Sequence, residues 1–486
     1  MSDSIIGSLL DFDAMPSTWQ LPTVGDVFQV VGGGTPSTKN PAYWGGDVPW
    51  ITSADIHAIR DVRPRKRVTR EGIEHSATNL VPEGTVIVVT RVGLGKLAVT
   101  PEPLCFSQDS QALLSRSNDV HTPFQLHYLS WAVHSFKYRN RGTTISGVTT
   151  RQLKSLPFPL PPLNEQRRIV AKIEALFSEL DAGVAALERS RALLARYRQS
   201  LLKAAFSGDL TADWRAAHQG PIEPAETLLA RIRAERAQQD ASAPTKRRRR
   251  RKPLPPLDTS ALPELPEGWC WARLGELGEM GTGATPKRGR SDYYENGMIP
   301  WVTSGVLWQG TVTSTDERIT DLALAETNCR VYPIGTLLVA MYGEGRTRGT
   351  VAELGIEAAT NQACAAVRVH RQCPSLRPFL RRYLQKNYGD MRTMASGGVQ
   401  PNLNLGLLAA LPVALAPAAE QVEIVKRLGA LESNVAPLYQ TVDDALARAS
   451  RLRQAILKRA FEGRLVPQDP TDEPAAALLA RIQNQR

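Results

Sequence analysis

The sequence predicts an α+β protein built of two similar globular domains and two long helices. Three observations carry this. The chain repeats itself with a period of about 250 residues, each repeat opens with short β-prone runs punctuated by glycine and proline, and each closes with a long stretch of helical apolar periodicity. At 486 residues the chain is too long for one hydrophobic core, in keeping with more than one domain.

The repeat is legible segment by segment. Residues 32–53, GGGTPSTKNPAYWGGDVPWITS, return at 281–304 as GTGATPKRGRSDYYENGMIPWVTS, so that Pro36 matches Pro286 and Pro49-Trp50 matches Pro300-Trp301. Pro82-Glu83-Gly84-Thr85 before the apolar VIVV returns as Pro333-Ile334-Gly335-Thr336 before LLVA. A glycine-rich loop follows each, RVGLGK at 91–96 and YGEGRTR at 342–348. Glu165-Gln166 corresponds to Glu420-Gln421, and the tails PAETLLAR at 224–231 and PAAALLAR at 474–481 agree as well. Between the loops, helix is expected over 123–134 and 378–388.

The two long helices are expected over 164–206 and 420–461. In the first, apolar side chains recur at Ile169, Ile173, Leu176, Leu180, Val184, Leu187, Leu194 and Leu201, the spacing of a coiled-coil seam. At about 1.5 Å per residue such a rod is about 64 Å long. The second seam runs through Ile424, Leu428, Leu431, Val435, Leu438, Val442, Ala445, Ala449, Leu452 and Ile456. Pro437 is expected to kink or break this helix near Ala436, because proline removes a hydrogen bond and crowds the preceding turn. Neither seam is stable exposed, so the two should pack together; spacing alone leaves parallel and antiparallel pairing both open.

The expected domain boundaries are 1–162 for the first globular domain, 163–207 for the first long helix, and 208–266 for a tail helix with an Arg/Pro-rich linker. The second globular domain, long helix and tail helix follow at 267–417, 418–463 and 464–486. The formal charge is +11, but seven of these charges fall in the run 246–252, KRRRRRK, and the rest of the chain carries only +4. That run reads as a solvated, flexible linker, with an arm on DNA phosphates as the alternative. Cys105, Cys270, Cys329, Cys364 and Cys373 form no CxxC pair and are odd in number, which fits reduced thiols in a cytoplasm. No signal peptide or membrane-spanning run is evident.

Fragments that imitate catalytic signatures fail on context. Asn40-Pro41-Ala42-Tyr43 is similar to the tetrapeptide with which adenine-N6 methyltransferases hold a flipped base, yet no strand, glycine turn and helix precede it to bind S-adenosylmethionine. Gly93-Leu94-Gly95-Lys96 lacks the leading glycine and the Ser or Thr of a phosphate loop. The histidines form no metal-binding pattern, and no nucleophile, base and orienter assemble. The chain therefore reads as non-catalytic, with no metal site. The glycine-rich loops suit close approach to phosphate, with Arg91 and Lys96 in one copy and Arg346 and Arg348 in the other. Gln108, Asn361 and Gln362 can pair bidentately with adenine, although side chains of these types also simply close turns.

The duplication, the proline-rich helix entries PFPLPPLNEQRRIV (157–170) and PVALAPAAEQVEIV (412–425), and the ending LLKAAFSGDLT make the chain similar to the specificity subunits of type I restriction-modification systems. The resemblance implies two target-recognition domains, each reading one half of a bipartite, asymmetric site on double-stranded DNA. It implies an antiparallel coiled coil with pseudo-twofold symmetry that fixes the unread gap. It also implies two modification subunits, joined in restricting complexes by two restriction subunits. Those partners would carry S-adenosylmethionine for adenine-N6 methylation, and ATP and magnesium for the nuclease; this chain would hold no cofactor. On the family's recurrent segments, the DNA-facing candidates extend to Lys39, Thr52 and Ser53 in the first copy and Lys287, Arg288, Thr303 and Ser304 in the second. Ala418-Ala419 departs from the family's usual Pro-Leu, and the Arg-rich linker is longer than the pattern requires. An orphan DNA-binding scaffold without catalytic partners is the competing expectation, and a neighbouring methyltransferase gene decides against it.

Overall fold

The computed structural model describes residues 10–11, 15–117, 119–139, 147–218, 220–242, 256–343, 347–370, 373–394 and 403–485. The Arg-rich run 246–252 and Arg346 lie outside the described residues. The fold is α+β, in two units: Met1–Arg189 with Val442–Arg486, and Ser190–Thr441.

In the first unit a four-stranded antiparallel sheet runs in the order Phe28–Gly32, Ser110–Ser115, Val86–Val89, Leu97–Val99. Val86–Val89 is buried on both faces, which is why the VIVV run shows no alternation. A second, three-stranded sheet places Trp44–Ile51 between Lys66–Val68 and Cys105–Phe106. The second unit has the same plan enlarged. Its five-stranded sheet begins Gly278–Thr282, Cys364–Val369, Leu337–Ala340, Val351–Leu354, and its four-stranded sheet centres on Ile299–Val302 and Ala358–Thr360. Helices Thr122–Arg139 and Leu376–Lys386 occupy the expected places.

The long helices are Leu163–Ser207 and Ala418–Phe461. Within each unit they run antiparallel. In the first, Arg453 bonds Asp181 and lies 4.3 Å from the Phe177 ring, while Ile169 and Ile173 share a core with Ile456 and Phe461. In the second, Arg198 Nε donates to Glu432 (3.1 Å), and Leu202 and Phe206 share a core with Ile424 and Leu428. Most seam expectations fall on the packed face: Ile173, Leu428, Val442 and Ile456 are buried, and Leu176, Leu180, Leu187, Leu194, Leu201 and Leu431 are half-buried. Leu438 and Leu452 do not, being 51% and 50% exposed. From Val435 the packed face steps through Tyr439 instead, and before Ile456 through Arg453, whose guanidinium lies over the Phe177 ring. Of the kink or break expected at Pro437, the break is corrected, since the helix is continuous through it. Pro437 and Ser433, whose carbonyl loses its intrahelical partner, are both exposed, where a missing helical hydrogen bond costs least.

Each unit is closed by the tail of the other repeat. Phe461 packs edge-on against Phe124 and Tyr128 at 5.7 and 5.1 Å, and Phe206 does the same to Phe379 and Tyr383 at 5.1 and 5.0 Å. The tail helices follow suit: Ala475 N donates to Thr18 O (3.2 Å), and Ala225 N to Gly268 O (2.8 Å). A buried glutamate ties these pieces together. Trp19 Nε1 and Gln468 Nε2 both donate to Glu165 (3.0 and 2.6 Å), while Trp269 Nε1 and Thr211 Oγ1 donate to Glu420 (2.8 and 2.6 Å), which also pairs with Arg215. Glu165 receives only neutral donors here, and burial raises its carboxyl above the ordinary range despite the bonds from Trp19 and Gln468. Four of the five cysteines are buried and all are free; burial pushes the Cys105 thiol to about 11 and Cys364 to about 12, which leaves them unreactive.

Two stability outcomes follow. Glu420→Ala strands the buried Trp269 indole N–H and removes the partner of the half-buried Arg215, and should lower unfolding free energy by about 2 kcal/mol in denaturant titration. Because the folded state holds the Glu165 proton more tightly than the unfolded state, deprotonation costs stability. Relative to Glu165→Gln, the unaltered chain should therefore lose stability as pH rises from about 4.5 through the raised value, and regain it on acidification, as read from denaturation midpoints.

Candidate nucleic-acid interface

The segments singled out by the repeat converge on one surface in each unit. In the first, Gly34 N donates to Phe106 O (2.9 Å), Trp50 Nε1 to Gly34 O (3.0 Å) and Ser107 N to Ile51 O (2.9 Å). In the second, Ala284 N donates to Thr360 O (3.1 Å), Trp301 Nε1 to Ala284 O (3.2 Å) and Asn361 N to Val302 O (3.0 Å). Gly33 and Gly283 make this approach feasible, since a Cβ would lie 2.2 Å from Ser107 O in one and 1.5 Å from Thr360 O in the other. The buried tryptophans thus pin the GGGTP and GATP loops beside the PWITS and PWVTS strands.

The individual candidates divide into two kinds. Some have their polar groups committed within the fold. Thr52 caps the turn Ser53–Asp55, its hydroxyl donating to Asp55 (2.7 Å). Lys96 Nζ donates to the carbonyls of Ser53 (2.8 Å) and Ile56 (3.0 Å), so this lysine locks the glycine-rich loop to the PWITS turn. Asn361 Oδ1 accepts from Ala363 N (3.1 Å), closing a turn. Arg348 is half-buried, with its Nε shielded and its carbonyl accepting from Arg392 (3.4 Å). Others stay outward: Lys39, Arg91 and Lys287 are exposed, and Thr303 and Ser304 are half-buried at the start of the turn that follows Trp301. Arg288 is exposed too, but its guanidinium is committed to Glu317 (2.6 Å). Gln108 and Gln362 are exposed, and each accepts a bond from the threonine of its own loop, Thr35 and Thr285. The same Thr–Gln clasp in both units presents one amide at the same place twice.

One basic element escaped the sequence reading. Residues 60–70 hold six basic side chains against one acidic, whereas 311–321 in the second copy hold three acidic against one basic. Lys66 and Arg67, on the edge strand beside Trp44–Ile51, and Arg65 just before it are all exposed. A charge count taken domain by domain would have revealed them. Among the described residues, no group of histidine, cysteine and carboxylate side chains is placed to hold a metal ion, and no helix is long and apolar enough to cross a membrane.

One surface in each unit thus carries the same outward amide and turn hydroxyls beside exposed cations, the chemistry of a nucleic-acid-reading protein with two recognition surfaces. The sequence profile described as the type I restriction modification DNA specificity domain matches residues 16–188 and 266–440, and the chain belongs to this family. It is thus the DNA-recognising member of a restriction-modification complex, in which partner subunits perform the catalysis. Among its relatives, the MjaIX specificity subunit of Methanocaldococcus jannaschii is 25% identical, over 69% of this chain and 68% of its own. The EcoDI specificity subunit of Escherichia coli is 25% identical over 76% and 77% respectively. A solved structure described as the basis of complex assembly and conformational transition of the type I R-M system shares the fold. It matches with a TM-score of 0.57 and 22% identity, covering 93% of this chain and 99% of the other.

The division of residues is testable. Arg91→Ala should reduce the slope of log K against log salt for duplex DNA by about one. Lys96→Met, which breaks two internal bonds, should lower the thermal midpoint and leave that slope nearly unchanged.

Proposed function

We propose that this chain reads a bipartite, asymmetric duplex site, one half with each globular domain, and carries two modification subunits on its long helices. The carrying observation is that the Trp–loop–Gln constellation occurs once in each unit, with continuous helices contributing to both. Outward cations bind phosphates and set register, and the outward amides and hydroxyls read base edges. The modification subunits bring S-adenosylmethionine and methylate adenine at N6. Restriction subunits, where the system includes them, add the ATP- and magnesium-dependent nuclease. The complex works in the cytoplasm, where the thiols stay reduced. The long helices set the unread gap between the half-sites.

The test is methylation mapping. The chain with its modification partner should methylate one adenine per half of a single bipartite motif, and the chain alone should transfer no methyl group; transfer by the isolated chain contradicts the reading. Inserting one helical turn near Leu187 and a matching turn near Ala447 should lengthen the tolerated gap while both half-sites keep their sequence. A changed half-site would sink the spacer role.

A further inference from the structure

The two globular domains contain the same cleft in opposite states. In the first, Lys66 lies opposite Trp50 and Arg67 opposite Pro49 across an antiparallel pair. In the second, Arg318 lies opposite Pro300, and Trp301 N donates to Glu317 O (2.9 Å), so Glu317 stands where Lys66 does and Asp316 where Arg65 does. The preceding loops make the same turn at matching positions of the repeat: Asn40 N donates to Ser37 O (3.2 Å), and Arg290 N to Lys287 O (3.0 Å). Thr38 and Arg288 therefore occupy one position, as do Trp44 and Tyr294.

In the second domain that position is filled. Arg288 pairs with Glu317 at 2.6 Å and its guanidinium stacks on Tyr294 and Trp301, 5.0 and 5.1 Å from the ring centres. In the first domain Thr38 is too short to reach across, and no carboxylate waits at Lys66. What remains is an open cleft of about 430 Å³ lined by Thr38, Trp44, Gly45, Arg65, Lys66 and Arg67. Its floor is rigid: Trp44 meets Trp50 edge-on at 5.2 Å, and the Lys66 ammonium rests 5.3 Å from the Trp44 ring centre. Its walls are held as well, with Arg65 bonded to Asp55 (2.6 Å) and Arg67 to Asp47 O (2.6 Å).

We propose that the Thr38–Trp44–Lys66 cleft of the first domain binds a phosphate of the DNA backbone, a contact that the second domain replaces with its internal Arg288–Glu317 pair. The proposal rests on the DNA-recognition reading and adds an asymmetry to it. A hydroxyl, the Lys66 ammonium and the Arg67 guanidinium around an open cavity, beside an Arg65 already paired with Asp55, suit one phosphodiester anion. Binding it releases condensed counterions, so the first domain supplies more of the salt-dependent affinity than the second. The first half-site is then held mainly through its backbone, while the second relies on contacts within its own recognition surface.

The test exchanges the two states in the full-length chain. Thr38→Arg with Lys66→Glu transplants the closing pair into the first domain, and Arg288→Thr with Glu317→Lys opens the cleft in the second. The probe is a random-sequence DNA duplex of about 40 base pairs, which reports phosphate contacts without base readout, titrated across a salt series. The first exchange should weaken binding and make the slope of log K against log salt shallower by about one; the second should make it steeper by about one. Unchanged slopes in both, with normal binding by the unaltered chain, overturn the cleft. Failure of the unaltered chain to bind any duplex would instead overturn the DNA-recognition reading and the cleft with it.

Discussion

A buried glutamate at the start of each long helix is the interaction on which the architecture depends. Glu165 and Glu420 are almost wholly enclosed, and each joins three stretches of chain: the tryptophan that begins its own globular domain, the helix that carries it, and the tail that follows the other helix. A carboxylate removed from water is costly unless its lone pairs are filled, so all three segments must arrive together for the site to be stable. The neighbouring glutamines repeat the arrangement with neutral groups. Gln166 donates to Pro161 O (3.0 Å) and accepts from His121 N (2.8 Å), and Gln421 donates to Ala416 O (2.8 Å) and accepts from Ser375 (3.0 Å). These bonds fix how each helix leaves its domain.

The exchange of tails follows from this. Each unit is completed by a phenylalanine, a tail helix and a donor to the buried glutamate that come from the end of the other repeat. The two copies are not identical in charge, however. Glu420 is met by Arg215, whereas the corresponding donor to Glu165 is the uncharged Gln468, and the position of Arg288 and Glu317 in one recognition surface is held by Thr38 and Lys66 in the other. A scaffold built on one plan thus carries two differently tuned surfaces, which is what reading an asymmetric site demands.

The sequence made the architecture legible because the repeat preserves glycine, proline and tryptophan at points where the backbone needs them, and because helical periodicity survives over forty-odd residues. It was less informative where a side chain's role depends on distant partners. The glutamates were visible as matching letters, yet their donors lie hundreds of residues away. Spacing puts Leu438 and Leu452 on the seam, but the packed face passes through Tyr439 and Arg453. Thr52, Lys96 and Asn361 have the right chemistry for DNA and sit at the right surface, yet their polar groups are committed to capping and loop closure. Conversely, the edge strand Lys66–Val68 went unnoticed because the Arg-rich linker dominated the charge count.

Two recognition surfaces on one chain, each reading its own DNA segment, leave a distinct mark on the duplex. Hydroxyl-radical footprinting of the complex with its modification partner on a methylation-mapped site tests it most directly. The expected result is two protected patches, each covering one half-site, with the backbone between them more reactive than either. A single protected patch over one half-site, unaltered when the other half-site is mutated, would contradict it.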